Sequence, residues 1–315
     1  MRLARAILVR LAWLFVTLLA ASFLIFSATF LVPGSVISTI TGGRSLGPDI
    51  VAQLRAQYRL DDPFLVQYWT WLGNVLQGDF GFSIVSREPV SSLVGGRLPT
   101  TLALVVYASL LVLIVGLALG LLGAVGRPAV DRSVMAITSV GIAVPTFVAA
   151  ALLISVLSVA LGWFPVVGVG DGGLDTLWHL TLPAISLSIL STAYIARVSR
   201  TSIREQLDAH YIETSRARGL SESSVIRRHA LRNAALPIST AVGIAIASLL
   251  ASTVVVEQIF SLPGIGSLLV RAVEQKDFAV AQAVSLILVA GFIIINTLVD
   301  VFYYVLDPRL RRRTS

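Results

Sequence analysis

The chain has 315 residues, of which 56% are hydrophobic and 13% charged, and its mean hydropathy is +0.87. Soluble domains carry roughly 25% charged residues, so this composition excludes a soluble globule, and the chain is too apolar to be disordered. The net charge of +7 comes from 23 arginines and one lysine against 17 acids, a balance that would also suit a nucleic-acid binder. The absence of cysteine excludes disulfides and thiolate chemistry, but it leaves the redox compartment open.

Six apolar segments are long enough to cross a bilayer core, which needs about 20 residues. They are residues 7–32, 102–125, 134–161, 180–196, 236–256 and 278–306. The second to fifth contain no charged residue. The first follows two arginines, like a signal peptide, but it is long and lacks a small-residue cleavage site, so we predict a retained anchor. The predicted fold class is therefore an all-α membrane protein with six transmembrane helices.

Basic residues are unevenly distributed between the predicted loops. Six crossings place both termini on one side together with residues 126–133 and 197–235, and that side holds 17 Lys and Arg. The two short loops on the opposite side hold 2. Because short cytoplasmic loops are enriched in Lys and Arg, both termini are predicted to be cytoplasmic. Membrane topology, rather than nucleic acid, then accounts for the charge.

A long extracellular segment separates the first two predicted helices. It begins with a Gly-rich stretch, residues 41–47, and continues with a polar, helix-like piece that ends at Pro63. An amphipathic aromatic stretch around Tyr68, Trp69 and Trp71 follows. Aromatic residues of this kind predict contact with the membrane interface.

The only sizeable cytoplasmic loop, residues 197–235, is where a cytoplasmic partner could bind. Asp208 is predicted to cap a short helix that Gly219 ends in the left-handed conformation, and Ser221 to cap a second helix. Pro237 then stands at the start of the fifth predicted span, where a helix tolerates proline. A solvated basic loop with no partner is the competing interpretation.

Motifs for catalysis and energy coupling are missing from the sequence. The only lysine, Lys276, lies in no phosphate-binding loop, so any ATP must be bound by another chain. No residues have metal-ligand spacing. Residues 168–171 match the G-x-G-D string of aspartyl intramembrane proteases, an alternative that a turn in a Gly-rich loop outweighs. Asp300, the only acid inside a predicted span, lies near its cytoplasmic end, which argues against proton coupling.

Part of the cytoplasmic loop resembles the EAA signature of ABC-importer permeases. Residues 211–220 read YIETSRARGL, and Leu236 and Pro237 follow. Glu213 precedes Gly219 by six positions, as in the signature, whereas Thr214 and Ser215 replace two alanines, a departure that resembles the dipeptide and oligopeptide branch. Other strings that resemble this branch lie at residues 67–69, 78–83, 97–102, 260–266, 296–300 and 306–309.

The resemblance implies a permease subunit of a dipeptide or oligopeptide ABC importer, with the type I (MetI-like) permease fold, in a bacterial inner membrane. Such a subunit pairs with a second, homologous permease, and an extracellular binding protein delivers the substrate. Two cytoplasmic ATPase domains would bind ATP and Mg²⁺, so the chain itself would hold no cofactor and would not be an enzyme. Short peptides are the expected substrate, and nickel, glutathione or another small solute remain alternatives.

The same resemblance assigns the site residues and the parts of the chain. The helix that couples to an ATPase comprises Tyr211, Ile212, Glu213, Thr214, Ser215, Ala217, Gly219 and Leu220, and the hinge between loop and helix comprises Leu236 and Pro237. Pathway or gate candidates are Ser139, Thr146, Ser248, Ser252, Thr253 and Asp300, although small residues also pack helices together, and Asp300 could form an ion pair. Pro145 is predicted to bend the third span. The parts are residues 1–99, a helix and the extracellular segment; 100–306, a five-helix permease core; and 307–315, a basic cytoplasmic tail.

Overall fold

The computed structural model describes residues 2–31 and 61–306, and the side chains of residues 8–28 and 61–298. The predicted Gly-rich stretch, most of the polar piece before Pro63 and the basic tail lie outside these residues. What is described is helical apart from one short β-hairpin. The prediction of an all-α membrane protein is confirmed in that sense.

Ten helices and one hairpin make up the described residues. They are α1 (Arg2–Leu31), α2 (Phe64–Leu76), β1 (Phe82–Ser83), β2 (Glu88–Pro89), α3 (Val90–Val125), α4 (Pro128–Ala143), α5 (Thr146–Ala160), α6 (Gly173–Leu207), α7 (His210–Ala217), α8 (Glu222–Ile259), α9 (Ile265–Glu274) and α10 (Phe278–Leu306). The two strands pair antiparallel, with Phe82 opposite Pro89. π-Helical turns occur in α3, α5 and α8, at Val112–Gly116, Ile154–Ala160 and Val225–Ala230.

Five of these helices are long and apolar enough to cross a membrane singly: α1, α3, α6, α8 and α10. Helices α4 and α5 form a bent pair that would make a sixth crossing. Helices α3, α6 and α8 extend beyond their apolar runs. Polar residues avoid lipid, so they end an apolar run, but they are compatible with a helix and do not end the helix. The apolar runs therefore located the crossings and understated the helix lengths.

The third predicted span is broken rather than merely bent. Helices α4 and α5 meet at an angle of 102°. Pro145 disfavours the helical conformation in the residue before it, and Val144 is accordingly extended, with φ −84° and ψ 118°. Proline also has no N–H with which to continue the ladder of hydrogen bonds. Pro145 thus ends one helix and starts another.

The broken pair nevertheless runs the length of a bilayer crossing beside α6. At its start, Asp131 forms an ion pair with Arg200. Just beyond its end, Phe164 stacks on Trp178, with ring centroids 4.3 Å apart. Trp178 and Arg200 are about 22 residues apart on α6, which corresponds to about 33 Å of helix. A bilayer core is about 30 Å thick, so the pair spans an equivalent distance.

Helix α6 lies at the centre of the bundle, where it contacts α3, α4, α5 and α8. Small residues let the helices approach closely. A Cβ atom on Gly120 of α3 would lie 2.4 Å from the Cβ of Ser199 and 2.9 Å from the Ala196 carbonyl oxygen. The main core therefore joins α3, α6 and α8 around Leu104, Leu187 and Leu249, all at most 2% exposed.

Helix α2 packs on α1 through aromatic side chains. Tyr68 is buried, its ring lies edge-on to Phe23 and Phe26, and its hydroxyl is 2.9 Å from the Ser22 Oγ. The membrane-interface prediction was therefore wrong for Tyr68, whose hydroxyl has a partner inside the protein. Trp69 is 57% exposed, and for it the prediction stands untested.

Candidate coupling site

Helix α7 connects the two long helices α6 and α8. The residue that precedes it, Ala209, is extended, with φ −77° and ψ 142°. Asp208, the predicted cap, instead ends α6 in a helical conformation, and its N–H donates to the Arg204 carbonyl oxygen. Because an N-cap residue needs an extended backbone, Asp208 cannot cap α7, and that prediction was wrong. Within the described residues no side chain takes this role.

Gly219 reverses the chain after α7, as the sequence predicted. Its φ is +81°. Its N–H donates to the Arg216 carbonyl oxygen (2.9 Å), and the Leu220 N–H donates to that of Ser215 (3.3 Å). These two bonds form a Schellman motif, in which a left-handed residue satisfies the last carbonyls of a helix. Glycine is suited to this position because it carries no Cβ atom.

The residues predicted to couple lie on two faces of α7 and its turn. Ile212 is fully buried, and Ser215 is 9% exposed, with its hydroxyl bonded to the Tyr211 carbonyl oxygen. This face lies toward the π-helical turn of α8. The exposed set is Tyr211, Glu213, Thr214, Ala217, Gly219 and Leu220. The exposed members of the predicted set thus combine one carboxylate with two large side chains, those of Tyr211 and Leu220.

The hydroxyl of Tyr211 joins α7 to both long helices. It donates to the Gln206 Oε1 at the end of α6, at 2.8 Å. It also accepts from the Asn233 Nδ2 in α8, at 3.2 Å. The same Asn233 nitrogen donates to the His229 carbonyl oxygen. The Tyr211 hydroxyl therefore forms a hydrogen-bonded bridge from α7 to both α6 and α8.

An ion pair closes the turn between α7 and α8. The Arg216 Nε and Nη2 donate to the Glu222 Oε1 and Oε2, at 2.7 and 3.3 Å. Through this hydrogen bonding the Glu222 carboxylate raises the pKa of Arg216 above its ordinary value. Because both side chains are exposed, the pair adds little to stability, but its two parallel bonds fix the orientation of the turn.

The predicted hinge lies inside a helix. Leu236 and Pro237 belong to α8, which begins at Glu222 and continues without a break to Ile259. The prediction that the helix of the fifth span starts at Pro237 was therefore wrong. Pro237 removes the backbone hydrogen bond to the Asn233 carbonyl oxygen, four residues earlier, yet the helix continues through it. The neighbouring Leu236 carbonyl oxygen accepts from the hydroxyls of Ser239 and Thr240.

The predicted pathway residues do not share one environment. Ser248 and Ser252 lie one turn apart on an open face of α8. Thr253 is fully buried and donates to the Leu250 carbonyl oxygen, which is a packing environment. Ser139 accepts from the Arg197 Nη2 at 2.6 Å. Thr146, partly exposed, starts α5, and the side chain of Asp300 lies outside the described ones.

Sequence reasoning missed a buried carboxylate at the far end of α8. Glu257 has 0% exposure and accepts hydrogen bonds from Thr101 and Ser267. Its sequence signal was its position, directly after the charge-free residues 236–256. A single acid at a predicted helix end reads as exposed, and nothing in the local pattern indicated these partners.

Comparisons with known proteins agree with this architecture. The family described as "Binding-protein-dependent transport system inner membrane component" matches residues 113–312, and its N-terminal counterpart matches residues 3–105. The chain belongs to this family. It is therefore a permease component of an ABC importer, a non-catalytic multi-pass protein of the inner membrane, and family membership implies an ATPase and a binding protein as partners.

Curated relatives cover nearly the whole chain. The glutathione transport system permease protein GsiC of Salmonella paratyphi A is 39% identical over 306 residues, which is 97% of this chain and 98% of that protein. The protein of the same name from Escherichia coli K12 is 39% identical over 303 residues, covering 96% and 97%. Both permeases thus match this chain from end to end.

Solved structures show the same fold over two thirds of the chain. An inward-facing MetNI methionine ABC transporter matches with a TM-score of 0.58 and 21% identity, covering 68% of this chain and 96% of that one. An amino acid ABC transporter crystallised with histidines matches with a TM-score of 0.56 and 20% identity, covering 68% and 94%. The predicted type I permease fold is supported by both.

Family membership also removes the protease alternative. In the structure, residues 168–171 form a turn in which Gly168 and Gly170 have positive φ. The backbone N–H of Asp171 donates to the Asp175 Oδ2 at 2.8 Å. The glycines therefore serve a tight connection before α6, as the turn interpretation predicted.

Proposed function

We propose that this chain imports short peptides or peptide-like solutes, which an extracellular binding protein delivers and a second, homologous permease helps to enclose. The substrate class is supported by the dipeptide-branch features around Glu213 and by relatives named for glutathione. Glutathione itself is the second candidate, because the identity to those permeases extends over 97% of the chain.

The proposed topology has six crossings and two cytoplasmic termini. The count takes α4 and α5 as one broken crossing, which is supported by the distance that the pair covers along α6. The orientation is supported by the excess of basic residues, 17 against 2, on the side of the termini. Helix α7 is then cytoplasmic, and α2, the hairpin and α9 are extracellular.

Helix α7 is proposed to dock in an ATPase domain, one of two that bind ATP and Mg²⁺. The observation that carries this proposal is the construction of α7: an exposed Glu213 on a short helix clamped between α6 and α8. The neighbouring Tyr211 and Leu220 offer apolar contact, and the carboxylate can accept charge-assisted hydrogen bonds from the partner. Closure of the ATPases on ATP would then move α6 and α8 together and change access to the pathway.

The translocation pathway is proposed to follow the open face of α8. Ile244, Ser248, Ala251 and Val255 recur every three or four residues and are all exposed, so they share one face of the helix. Small and polar side chains leave room between two permeases. Thr253 faces the core and is excluded from this pathway; Ser139 and Thr146 stay candidates.

The test uses the complete importer in proteoliposomes. Glu213→Gln removes the exposed carboxylate of α7, and Glu205→Gln is the matched control, an exposed acid on α6 outside the site. Loss of one hydrogen bond to a charged group costs about 1.5–3 kcal/mol, so uptake and substrate-stimulated ATP hydrolysis should fall about tenfold or more in Glu213→Gln alone. Wild-type values in Glu213→Gln would refute the assignment.

A further inference from the structure

We propose that Glu257 is a positioning residue that carries movement of the cytoplasmic coupling site to the outer end of the permease, by binding α9 to α8 and α3. The inference rests on the proposed function of α7 and extends it to the opposite side of the membrane. It assigns a role to a buried carboxylate that neither the coupling site nor the pathway uses.

The carboxylate of Glu257 caps the N-terminus of a helix other than its own. Its Oε2 accepts from the backbone N–H of Ser267, at 2.8 Å, and its Oε1 accepts from the Thr101 hydroxyl, at 2.6 Å. The Thr101 oxygen in turn accepts from the Ile265 N–H, at 2.9 Å. The N–H groups of Ser267 and Ile265 thus bind to side chains of α8 and α3, which satisfies donors that a helix start leaves free.

Two glycines allow α9 to lie directly against the Glu257 carboxylate and α8, because they carry no side chain. A Cβ atom on Gly264 would lie 2.2 Å from the Glu257 carboxyl carbon. A Cβ atom on Gly266 would lie 2.7 Å from the Cα of Val254 in α8. The connection back to α8 is closed by the Leu262 N–H, which donates to the Glu257 carbonyl oxygen at 2.8 Å. Glu257 therefore binds α9 through its side chain, and it binds the connection before α9 through its backbone carbonyl.

The other buried residues of α9 pack against α3 and α10. Leu268 and Ala272 join a cluster with Val90 and Val94 of α3 and with residues of α10. On the opposite face, Val273 is 62% exposed. Helix α9 is thus held where α3, α8 and α10 end on the proposed outer side, and a shift of α8 that keeps the Glu257 bonds must carry α9 with it.

One continuous helix links the two sites. Helix α8 has 38 residues, about 57 Å of helix, and contains both Asn233, bonded to Tyr211 of α7, and Glu257. A buried carboxylate is costly unless hydrogen bonds and counter-charge compensate it. Here Thr101 and α9 supply the bonds, and Arg97 acts as a cationic neighbour. An apolar side chain could fill this space, but it could not form hydrogen bonds to both α3 and α9.

The experiment compares two reporters in the assembled importer. Because the chain has no cysteine, Arg218→Cys beside α7 and Val273→Cys on α9 can each carry a single environment-sensitive fluorophore. Each is measured in proteoliposomes before and after trapping with ATP and vanadate. With the native Glu257 both signals should change. In Glu257→Gln, which keeps the volume but offers one acceptor oxygen, the Arg218 signal should persist, and the Val273 change and uptake should fall about tenfold.

Controls separate this role from folding and from the proposed function. Glu274→Gln removes an exposed acid from α9 and should keep both signals. If Glu257→Gln fails to accumulate, Thr101→Val is measured in the same way, since it deletes only the bridging hydroxyl. A full Val273 response in Glu257→Gln, or in Thr101→Val where that variant is used, would overturn the inference. Absence of an Arg218 response with the native Glu257 would instead contradict the proposed function of α7.

Discussion

Asp131, in the first turn of α4, forms a two-pronged ion pair with Arg200 near the C-terminal end of α6. The Arg200 Nε and Nη2 both donate to its carboxylate, the latter at 2.7 Å. Arg204 lies 3.0 Å from the same carboxylate and also donates to the Gly123 carbonyl oxygen, at 3.2 Å. The cluster therefore joins one end of each of α3, α4 and α6.

We predict that Asp131→Asn destabilises the importer. Both side chains are less than 20% exposed, and removing the carboxylate leaves the guanidinium groups of Arg200 and Arg204 without their shared counter-charge. Thermal unfolding of the purified complex should therefore begin several degrees lower, whereas the exposed control Glu205→Gln should unfold like the native protein. A double variant with Arg200→Gln should lose less than the two single losses added together; strict additivity would contradict the pairing.

Replacement of Gly219 by alanine should reduce coupling more than folding. A side chain in the left-handed region costs about 1–2 kcal/mol. Gly162 is a matched control, because its φ is also positive (+65°) and open space surrounds it, as it does Gly219. Both variants should lose similar thermal stability, but only Gly219→Ala should lower the ATP-driven uptake rate. Equal uptake by the two variants would show that the turn has no special role.

The Tyr211 hydroxyl should contribute to coupling without affecting membrane insertion. Tyr211→Phe removes the bridge between Gln206 and Asn233, each bond being worth about 0.5–1.5 kcal/mol. We expect uptake per ATP hydrolysed to fall severalfold at unchanged abundance in the membrane. Tyr194→Phe, on an exposed position of α6, is the control and should transport normally. Unchanged coupling in Tyr211→Phe would exclude the hydroxyl from force transmission.

Single cysteines should distinguish the pathway face of α8 from its packed face. In the assembled importer, Ser248→Cys should react with a small hydrophilic thiol reagent, and added substrate should slow the reaction. Thr253→Cys should not react, because that side chain is fully buried. Both reaction rates can be followed by mass spectrometry. Labelling of the Thr253 position at the rate of the Ser248 position would place the pathway elsewhere.

Features with a local cause were predictable from the sequence, and features that depend on distant partners were not. Apolar runs located the crossings because a bilayer core accepts only segments with apolar side chains and internally bonded backbones. Gly219 marked the turn because glycine readily adopts the left-handed conformation. The cap at Asp208 failed for a different reason: the extended residue between α6 and α7 lies one position later. Here the local signal was right about the helix and wrong by one residue about its start.

Tertiary partners account for the larger omissions. Glu257 bonds to Thr101, 156 positions away in the sequence, and Asp131 to Arg200, 69 positions away. No pattern along the chain connects such residues. Similarly, Pro145 predicted a bend, but the angle of 102° depends on how α4 and α5 pack against α6. The partners of Glu257 and Asp131 could therefore be identified only from the three-dimensional structure.

We propose that α7 is a cytoplasmic lever held by an ATPase. This proposal is tested by labelling Thr214→Cys on α7 and Val85→Cys at the hairpin tip with a membrane-impermeant thiol reagent, in intact cells and in inside-out vesicles. We expect Val85→Cys to react only in intact cells. Thr214→Cys should react only in inside-out vesicles, and only after the ATPase subunits have been stripped off. Labelling of Thr214→Cys in intact cells, or equal labelling with the ATPases bound, would contradict this proposal.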